Sequence, residues 1–213
     1  MIKMCGVILS AGASSRMGRD KALLPWPPAA PGSQKSEAGT LLSAAIAALK
    51  PFTETIVVVA GKNADNIASA AAANGASMVR NPAPERGQFS SLQVGLHEVL
   101  AHGFDAAMIT LVDCPPLSGA SMEKLTAAFG QALRNGMWGV APEHKGKHGH
   151  PLVASRGLID AFLAAPVTSN AREVKREHAE MIVAVAVSDS VLSIDVNTPE
   201  EYVALSMSDL KPS

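Results

Sequence analysis

Short apolar runs alternate along this chain with longer stretches that have the periodicity of helices. Two of the runs, residues 56–59 and 108–112, are apolar on both faces, which is typical of parallel strands covered by helices on each side. The short apolar runs together predict six strands, at residues 6–10, 55–60, 77–79, 106–112, 139–141 and 182–187. Six helices are predicted between and after them, at residues 40–49, 64–74, 91–101, 121–135, 156–164 and 200–206.

This alternation of strands and helices implies right-handed crossovers and a mostly parallel sheet. We therefore expect an α/β fold, a single Rossmann-like domain over residues 1–213 with helices on both faces of the sheet. Ligands of such sheets bind beyond the carboxyl ends of the strands. Residues 25–39, rich in Pro, Ala, Gly and Ser, are expected to form a surface loop without regular structure, either a mobile flap near the site or a tolerated insertion.

Composition excludes several classes of function. A hydrophobic fraction of 47% and a charged fraction of 17% describe a globular protein with a sizeable core. The net charge of -1 provides no broad basic field for nucleic acid, and 4% aromatic residues provide few surfaces for base stacking. An anionic ligand must therefore be held by a local site.

The two cysteines and the first residues of the chain indicate where in the cell the protein is expected to be. Cys5 and Cys114 make neither a disulfide framework nor a CxxC pair, so we expect a reducing, cytoplasmic environment. The apolar run at residues 4–11 is short and broken by glycine, which disfavours a signal peptide. No run reaches the roughly 18 apolar residues of a membrane helix.

A small-residue loop follows the first predicted strand and carries positive charge. Successive backbone N–H groups in such a loop can surround phosphate oxygens, and Gly12 and Gly18 permit the backbone angles that this requires. Arg16 and Lys21 add cations to the same place. The spacing fits neither GxxxxGK[ST] nor GxGxxG, which disfavours P-loop and dehydrogenase functions. An ordinary glycine turn with exposed cations is the alternative.

Asp113 follows the most apolar of the predicted strands. A carboxylate at the carboxyl tip of a central strand is stabilised if it binds a cation, and Mg²⁺ needs only one or two acids beside a triphosphate. The alternative is an aspartate that merely ends the strand in a turn.

Residues 9–25 resemble the LAAGxSxRMGxxKxLLP signature of the molybdenum cofactor nucleotidyltransferases, with the Arg-Met-Gly, the lysine and the Leu-Pro in register. The resemblance implies a nucleotide-diphospho-sugar-transferase-like fold, a catalytic role for Arg16, Lys21 and Asp113, and Mg²⁺ bound at Asp113. It also implies that the nucleotide is bound by the following loop residues: Leu9, Ala11, Gly12, Ala13, Ser14, Ser15 and Gly18.

Three later segments extend the resemblance to about residue 205. Residues 193–200 resemble the late D-x-D/N-T-P-E motif, in which Asp195 and Asn197 are candidate metal ligands, although Asn197 is equally typical of a turn before a helix. Ser90 and Ser91 belong to a GxxSSLxxGL element and are candidate nucleotide contacts, with an N-cap as the alternative for Ser90. Residues Gly149, His150 and Pro151 match an element assigned to the acceptor.

His144, His148 and His150 lie close together in the sequence, beside Lys145 and Lys147. A zinc site is disfavoured because no fourth ligand is near, so we expect a basic loop that receives an anionic substrate. A nucleophilic role for Cys114 is disfavoured because direct transfer needs no covalent intermediate.

Ala11 before Gly12 and the Ser-Ser-Leu element are more similar to the cytidylyltransferase branch. The resemblance thus implies transfer of CMP from CTP to the terminal phosphate of molybdenum-bound molybdopterin, with release of pyrophosphate, and a recipient molybdenum enzyme as a possible partner. Three alternatives stay open: a guanylyltransferase, a transferase for another small phosphate acceptor, and a carrier of nucleotide or cofactor without turnover.

Overall fold

The fold is taken from a computed structural model, which describes residues 2–12, 18, 20–28, 39–193 and 201–202. The described strands are β1 (Cys5–Ser10), β2 (Pro25–Trp26), β3 (Gly39–Thr40), β4 (Thr55–Ala60), β5 (Ser77–Arg80), β6 (Ala106–Leu111), β7 (Gly139–His144), β8 (Lys147–His148), β9 (Leu152–Ser155) and β10 (Ile182–Ala186). The described helices are α1 (Leu41–Leu49), α2 (Ala64–Ala73), α3 (Gln88–Ala101), α4 (Gly119–Arg134), α5 (Arg156–Ala164) and α6 (Ala171–Glu177).

The main sheet has the strand order β10-β7-β9-β6-β1-β4-β5, and β8 pairs with β7 beside this path. β1 pairs in parallel with β4 and β6, β4 pairs in parallel with β5, and β10 pairs in parallel with β7. β9 is antiparallel to both of its neighbours, β6 and β7. The sheet is therefore mostly parallel, as expected, with one reversed strand in its interior.

Helices cover both faces of this sheet, which confirms the expected fold class. One hydrophobic cluster joins one face to α1, α2 and α4 through residues such as Leu42, Ile67 and Phe129. The other cluster joins the opposite face to α3, α5 and α6, for example through Leu96 and Phe162. β1, β4, β6 and β9 have both faces covered, and their residues are almost all buried.

The predicted elements occur with small differences at their ends, and the short strands β2, β3 and β8, together with β9 and α6, were missed. All six predicted strands are present, as are the first five predicted helices. Of the predicted helix at residues 200–206, residues 201 and 202 are helical and the others lie outside the described part. β9 was missed because it has only four residues directly after a proline. α6 was missed because it buries only Val174 and so has no clear apolar face.

The expectation of a structureless loop at residues 25–39 is wrong at both ends. Pro25–Trp26 and Gly39–Thr40 pair as antiparallel strands, with Pro25 opposite Thr40. Residues 29–38 lie outside the described part. The pairing brings the two ends of the segment together directly before α1, whose first residue donates its N–H to the Leu24 carbonyl at 2.9 Å.

α3 lies unusually close to the centre of the sheet because of a glycine. A Cβ atom built on Gly95 would lie 2.7 Å from Cγ1 of Val7 and 2.9 Å from Cγ2 of Val59. Valine methyl groups are held by a stiff χ1 angle and have little freedom to move away.

Among the described helices, none has the length and apolar character needed to cross a bilayer.

Candidate active site

The carboxyl ends of β1, β4 and β6 meet at one edge of the sheet. The parallel register of β1 with β6 places Leu9 opposite Leu111. The N–H of Val112 then donates to the Leu9 carbonyl at 3.1 Å and continues the pairing beyond the end of β6. The loop after β1 and the loop after β6 therefore begin side by side, at the edge where the topology of the sheet predicts a ligand.

Lys21 and Asp113 are in direct contact at this edge, although 92 positions separate them in the sequence. Lys21 Nζ lies 2.9 Å from Asp113 Oδ2, and the two side chains are 12% and 24% exposed. Lys21 begins a short 3-10 turn that Asp20 caps by accepting the Ala22 N–H at 3.1 Å. The buried side chain of Ala22 anchors this turn in the core, so that the lysine is held over the end of β6.

The start of the loop after β1 is held by two residues that follow β4. The Asn63 side chain donates from Nδ2 to the Ser10 carbonyl at 2.9 Å and accepts the Gly61 N–H at Oδ1 at 3.0 Å. A Cβ atom on Gly61 would lie 2.6 Å from the carbonyl oxygen of Ala11. Gly61 therefore permits an approach of two backbones that a side chain would prevent, and Asn63 fixes it.

The predicted nucleotide loop is described at its two ends. Leu9 is buried in β1, and Ala11 and Gly12 follow it with increasing exposure. Gly18 has φ +64, in the left-handed region that favours glycine. Ser10 Oγ is buried at the head of this loop and has no hydrogen-bond partner within the part of the chain that the structure describes. The predicted residues Ala13, Ser14, Ser15 and Arg16 lie outside the described residues.

The residues present fit a magnesium site that is completed by substrate. Asp113 supplies a carboxylate, the donor that Mg²⁺ prefers, beside the loop predicted to hold phosphates. Within the described ranges, no group of three His, Cys, Asp or Glu side chains could bind a metal by itself. Phosphate oxygens and water would therefore supply further ligands. The predicted ligands Asp195 and Asn197 lie outside the described residues.

Ser90 and Ser91 are buried in the first turn of α3, where Asn81 binds both hydroxyl groups. Asn81 Nδ2 donates to Ser90 Oγ and to Ser91 Oγ at 2.9 Å each, and the Asn81 side chain is itself buried. The helix begins at Gln88, with Gly87 as its N-cap at φ +92, so the alternative of an N-cap at Ser90 is wrong. Asn81 thus ties the end of β5 to the start of α3, and a nucleotide contact from Ser90 or Ser91 stays a prediction.

The reversed direction of β9 places Gly149, His150 and Pro151 beside β6, the strand that Asp113 follows. These residues precede β9, and because β9 is antiparallel to β6 they lie beside the carboxyl half of β6. His150 Nδ1 lies 3.3 Å from the carbonyl oxygen of Ile109, and the Gly149 N–H donates to the Pro142 carbonyl at 3.0 Å. The structure therefore brings the predicted acceptor residues to the same edge as the ion pair.

The three clustered histidines have separate partners. His144 Nδ1 lies 3.0 Å from the Val187 carbonyl oxygen, His148 Nε2 lies 3.3 Å from Glu143 Oε2, and His150 contacts the β6 backbone. Between them, Lys145 and Lys147 are exposed at a hairpin turn. The arrangement fits the expected basic loop better than a shared metal.

The two cysteines differ in environment. Cys5 is fully buried in β1, and this burial, with a smaller contribution from the charge of Glu98, raises the pKa of its thiol to about 12. Cys114 is half-buried directly after Asp113. The Cys5 thiol is thus held protonated and unreactive.

Three of the supporting residues were not identified as functional from the sequence. Gly61 and Asn63 carry no motif, and Asn81 was noted only as part of a motif. Their place in the sequence could have identified them, because all three follow closely after β4 or β5, whose carboxyl ends lie at the same edge of the sheet as that of β1.

Comparison with known proteins identifies the family of this chain. A family model described as the MobA-like NTP transferase domain matches residues 6–181. The molybdenum cofactor cytidylyltransferase of Escherichia coli (strain K12) is 25% identical over 200 residues, which cover 92% of each chain. The molybdenum cofactor guanylyltransferase of Xanthomonas euvesicatoria pv. vesicatoria (strain 85-10) is 36% identical over 124 residues, which cover 57% of this chain and 53% of the relative.

Proteins with other names are also similar to this chain. The nicotine blue oxidoreductase of Paenarthrobacter nicotinovorans is 29% identical over 206 residues, covering 94% of this chain and 95% of the relative. The crystal structure of Rv0371c from Mycobacterium tuberculosis H37Rv, in complex with manganese, has a TM-score of 0.72 at 21% identity and covers 97% of this chain and 99% of that chain. Because the family model spans most of the sequence, this chain belongs to the MobA-like NTP transferase family.

Proposed function

We propose that this protein transfers CMP from CTP to the terminal phosphate of molybdenum-bound molybdopterin and releases pyrophosphate. The observation that carries the proposal is the 2.9 Å contact between Lys21 and Asp113. It joins the end of the predicted triphosphate loop to the carboxylate predicted to hold Mg²⁺. Family membership and the match to the Escherichia coli cytidylyltransferase over 92% of the chain support the same activity.

The reaction requires that two anions meet without strong repulsion. An oxygen of the acceptor phosphate forms a bond to the α-phosphorus of CTP, and the bond from that phosphorus to the bridging oxygen breaks, so that pyrophosphate leaves with the electron pair. The acceptor phosphate is already ionised, so no dedicated general base is needed. Positioning the two substrates and offsetting their charge is then most of the catalytic task.

The chain supplies cations and donors for this task. Lys21 is largely shielded from water, which strengthens its interaction with phosphate oxygens relative to an exposed lysine. Arg16 and the backbone N–H groups from Gly12 to Gly18 are predicted to bind the rest of the triphosphate. Asp113 would hold Mg²⁺, with Asp195 and Asn197 as predicted further ligands, and the bound ion would offset phosphate charge.

The acceptor is proposed to bind at Gly149, His150 and Pro151. These residues lie beside the carboxyl half of β6, and the exposed side chains of Lys145 and Lys147 are on the hairpin directly before them. A cationic hairpin directly before the proposed acceptor residues would attract an anionic pterin phosphate, for which the whole-chain charge of -1 offers no general attraction.

Asp113→Asn tests the proposal, with Asp105→Asn as its matched control. Both aspartates flank β6, but Asp105 lies at the opposite end, exposed and paired with Arg156 at 3.1 Å. We expect Asp113→Asn to lower kcat/KM for pyrophosphate release roughly 100-fold, because the carboxylate proposed to hold Mg²⁺ is lost. Asp105→Asn should change it less than about twofold, since exposed ion pairs contribute little.

The assay measures pyrophosphate released with each of the four nucleoside triphosphates, with and without molybdenum-bound molybdopterin. Release that depends on both CTP and the acceptor supports the proposal. Release with GTP in place of CTP identifies a guanylyltransferase, a candidate that the 36% identity to the Xanthomonas enzyme favours. Nucleotide binding without any release of pyrophosphate would show that the protein is a carrier. Equal activity of the two aspartate variants would show that the metal does not bind at Asp113.

A further inference from the structure

Residues 187–192, which follow β10, lie across the outside of the proposed acceptor side, and we name them the C-terminal strap. The strap is attached to β7 at its start, where the Val187 N–H donates to the Glu143 carbonyl at 2.9 Å. The Val187 carbonyl oxygen in turn lies 3.0 Å from Nδ1 of His144. These contacts fix where the strap begins.

In its middle, the strap is attached to the start of α4 by the Asp189 carboxylate. Oδ1 accepts the Ser118 N–H at 2.9 Å, and Oδ2 accepts the Ser118 hydroxyl at 3.2 Å and the hydroxyl of Ser121. Burial alone would raise the pKa of Asp189, but the hydrogen bonds from Ser121 and Ser118 outweigh it and lower that pKa. A carboxylate at a helix N-terminus is also stabilised by the helix dipole.

The far end of the strap packs on the proposed acceptor residues. A Cβ atom on Gly149 would lie 2.5 Å from Cγ and Cδ1 of Leu192, so the leucine lies directly against the glycine backbone. The Leu192 N–H donates to the Asp189 carbonyl at 3.3 Å, which joins the leucine and the aspartate in one turn. A short path therefore leads from α4 through Asp189 and Leu192 to Gly149.

We propose that Asp189 is a positioning residue for the acceptor: it ties the strap to α4 so that Leu192 holds Gly149, and with it the residues that precede β9, in place beside the carboxyl half of β6. This inference rests on the proposed function, in which residues 149–151 bind the acceptor. Asp189 contacts Ser118 and Ser121 rather than the reacting groups, so it acts through the strap. The nucleotide loop is on a different path, held by Asn63 and Gly61.

The test is the separate measurement of KM for each substrate in Asp189→Ala. We expect KM for molybdenum-bound molybdopterin to rise roughly tenfold, because hydrogen bonds to a charged group are lost and the glycine backbone is released. KM for CTP should stay within about twofold. Asp160→Ala is the matched control: Asp160 is an exposed aspartate of α5 whose partner is Arg156, and both KM values should be unchanged.

A second variant tests the same path from its other end. Leu192→Ala removes the contact with Gly149 and keeps the hydrogen bonds of Asp189 to Ser118 and Ser121. It should raise KM for the acceptor while leaving KM for CTP unchanged. Because both variants interrupt one path, the double variant should show less than the product of the two single effects. If Asp189→Ala fails to fold, Leu192→Ala alone decides the question.

The outcomes separate this inference from the proposed function. A wild-type protein that releases no pyrophosphate contradicts the proposed function. An active wild-type protein whose Asp189 and Leu192 variants melt at lower temperature, but keep KM for the acceptor, overturns the inference and makes the strap purely structural. A parallel rise of KM for both substrates also overturns it, because the effect would then not be confined to the acceptor side.

Discussion

Asp105 and Asp113 show how position decides what a residue can do. They stand at opposite ends of β6, and each contacts a cationic side chain. The carboxylate of Asp105 is 78% exposed, so water screens its pair with Arg156. The carboxylate of Asp113 is 24% exposed and faces a lysine that is 12% exposed, where charges interact more strongly.

Gly61 offers a test of the nucleotide loop at the scale of one atom. In Gly61→Ala, the added Cβ would meet the Ala11 carbonyl oxygen at 2.6 Å and push the loop away from β4. We expect binding of CTP, titrated by calorimetry, to weaken by about 1–3 kcal/mol, the usual cost of overpacking. Gly130→Ala is the control, because the nearest atom to its Cβ is the end of the Arg134 side chain at 3.8 Å. Unchanged CTP affinity in Gly61→Ala would show that this contact does not shape the loop.

Some of these residues can be predicted from sequence and others cannot. Lys21 was a candidate because it adds a cation to the small-residue loop after β1, and Asp113 because a carboxylate at the tip of a central strand is stabilised by a bound cation. The structure brings the two together. Gly61 and Asn63 act through backbone contacts with Ser10 and Ala11, about 50 positions away. Such contacts depend on strand order, which periodicity does not give.

At the scale of elements, the closeness of α3 to the sheet predicts opposite effects for two helical glycines. Gly95→Ala places a methyl group against Val7 and Val59, which are both buried, and should lower the free energy of unfolding by about 1–3 kcal/mol. Gly130→Ala in α4 meets no such obstacle and should raise it by about 0.5–1 kcal/mol, because alanine favours helix. Urea denaturation measures both. The same sign for the two variants would mean that α3 does not pack as closely as described.

The elements that the sequence predicted are those with a strong pattern of burial. β4 was predicted with its exact bounds because five of its six residues are buried. β9 is equally buried, but its four residues are too few to separate from a loop, and its reversed direction follows from pairing with β6 and β7. The predicted start of α3 was three residues too late because Ser90 resembles an N-cap, whereas the N-cap of the helix is Gly87.

At the scale of the whole molecule, Asp189 predicts how stability changes with pH. Its pKa in the folded protein lies below its ordinary value of 3.8. The hydrogen bonds of its ionised form therefore stabilise the fold above about pH 4. This contribution is lost as pH falls from 3.8 through the lowered pKa, because the folded carboxylate then takes up a proton.

The measurement compares wild type with Asp189→Asn by urea denaturation at several pH values. The difference in unfolding free energy should be largest near neutral pH and should shrink below pH 3.8, since all other titrating groups are common to both proteins. If the difference in unfolding free energy stays constant at acidic pH, the charge of Asp189 contributes nothing to stability.

The overall architecture was the most predictable level. The alternation of strands and helices predicted an α/β sheet with two covered faces. The tendency of ligands to bind beyond the carboxyl ends of the strands indicated the edge where Lys21 contacts Asp113. The pairing of Pro25–Trp26 with Gly39–Thr40 was not predictable, because two-residue strands carry no periodicity. The joining of Asp189 to α4 was not predictable either, since its partners Ser118 and Ser121 are about 70 positions away.

The reversed strand also has a consequence for how this family could diversify. β7 and β9 are neighbours in the sheet, and residues 145–151, which contain the short strand β8, join them without any helix. The tip of this segment can change in length or charge while β7 and β9 stay paired. If residues 149–151 bind the acceptor as proposed, grafting this hairpin from a relative should change which phosphate compound the protein accepts.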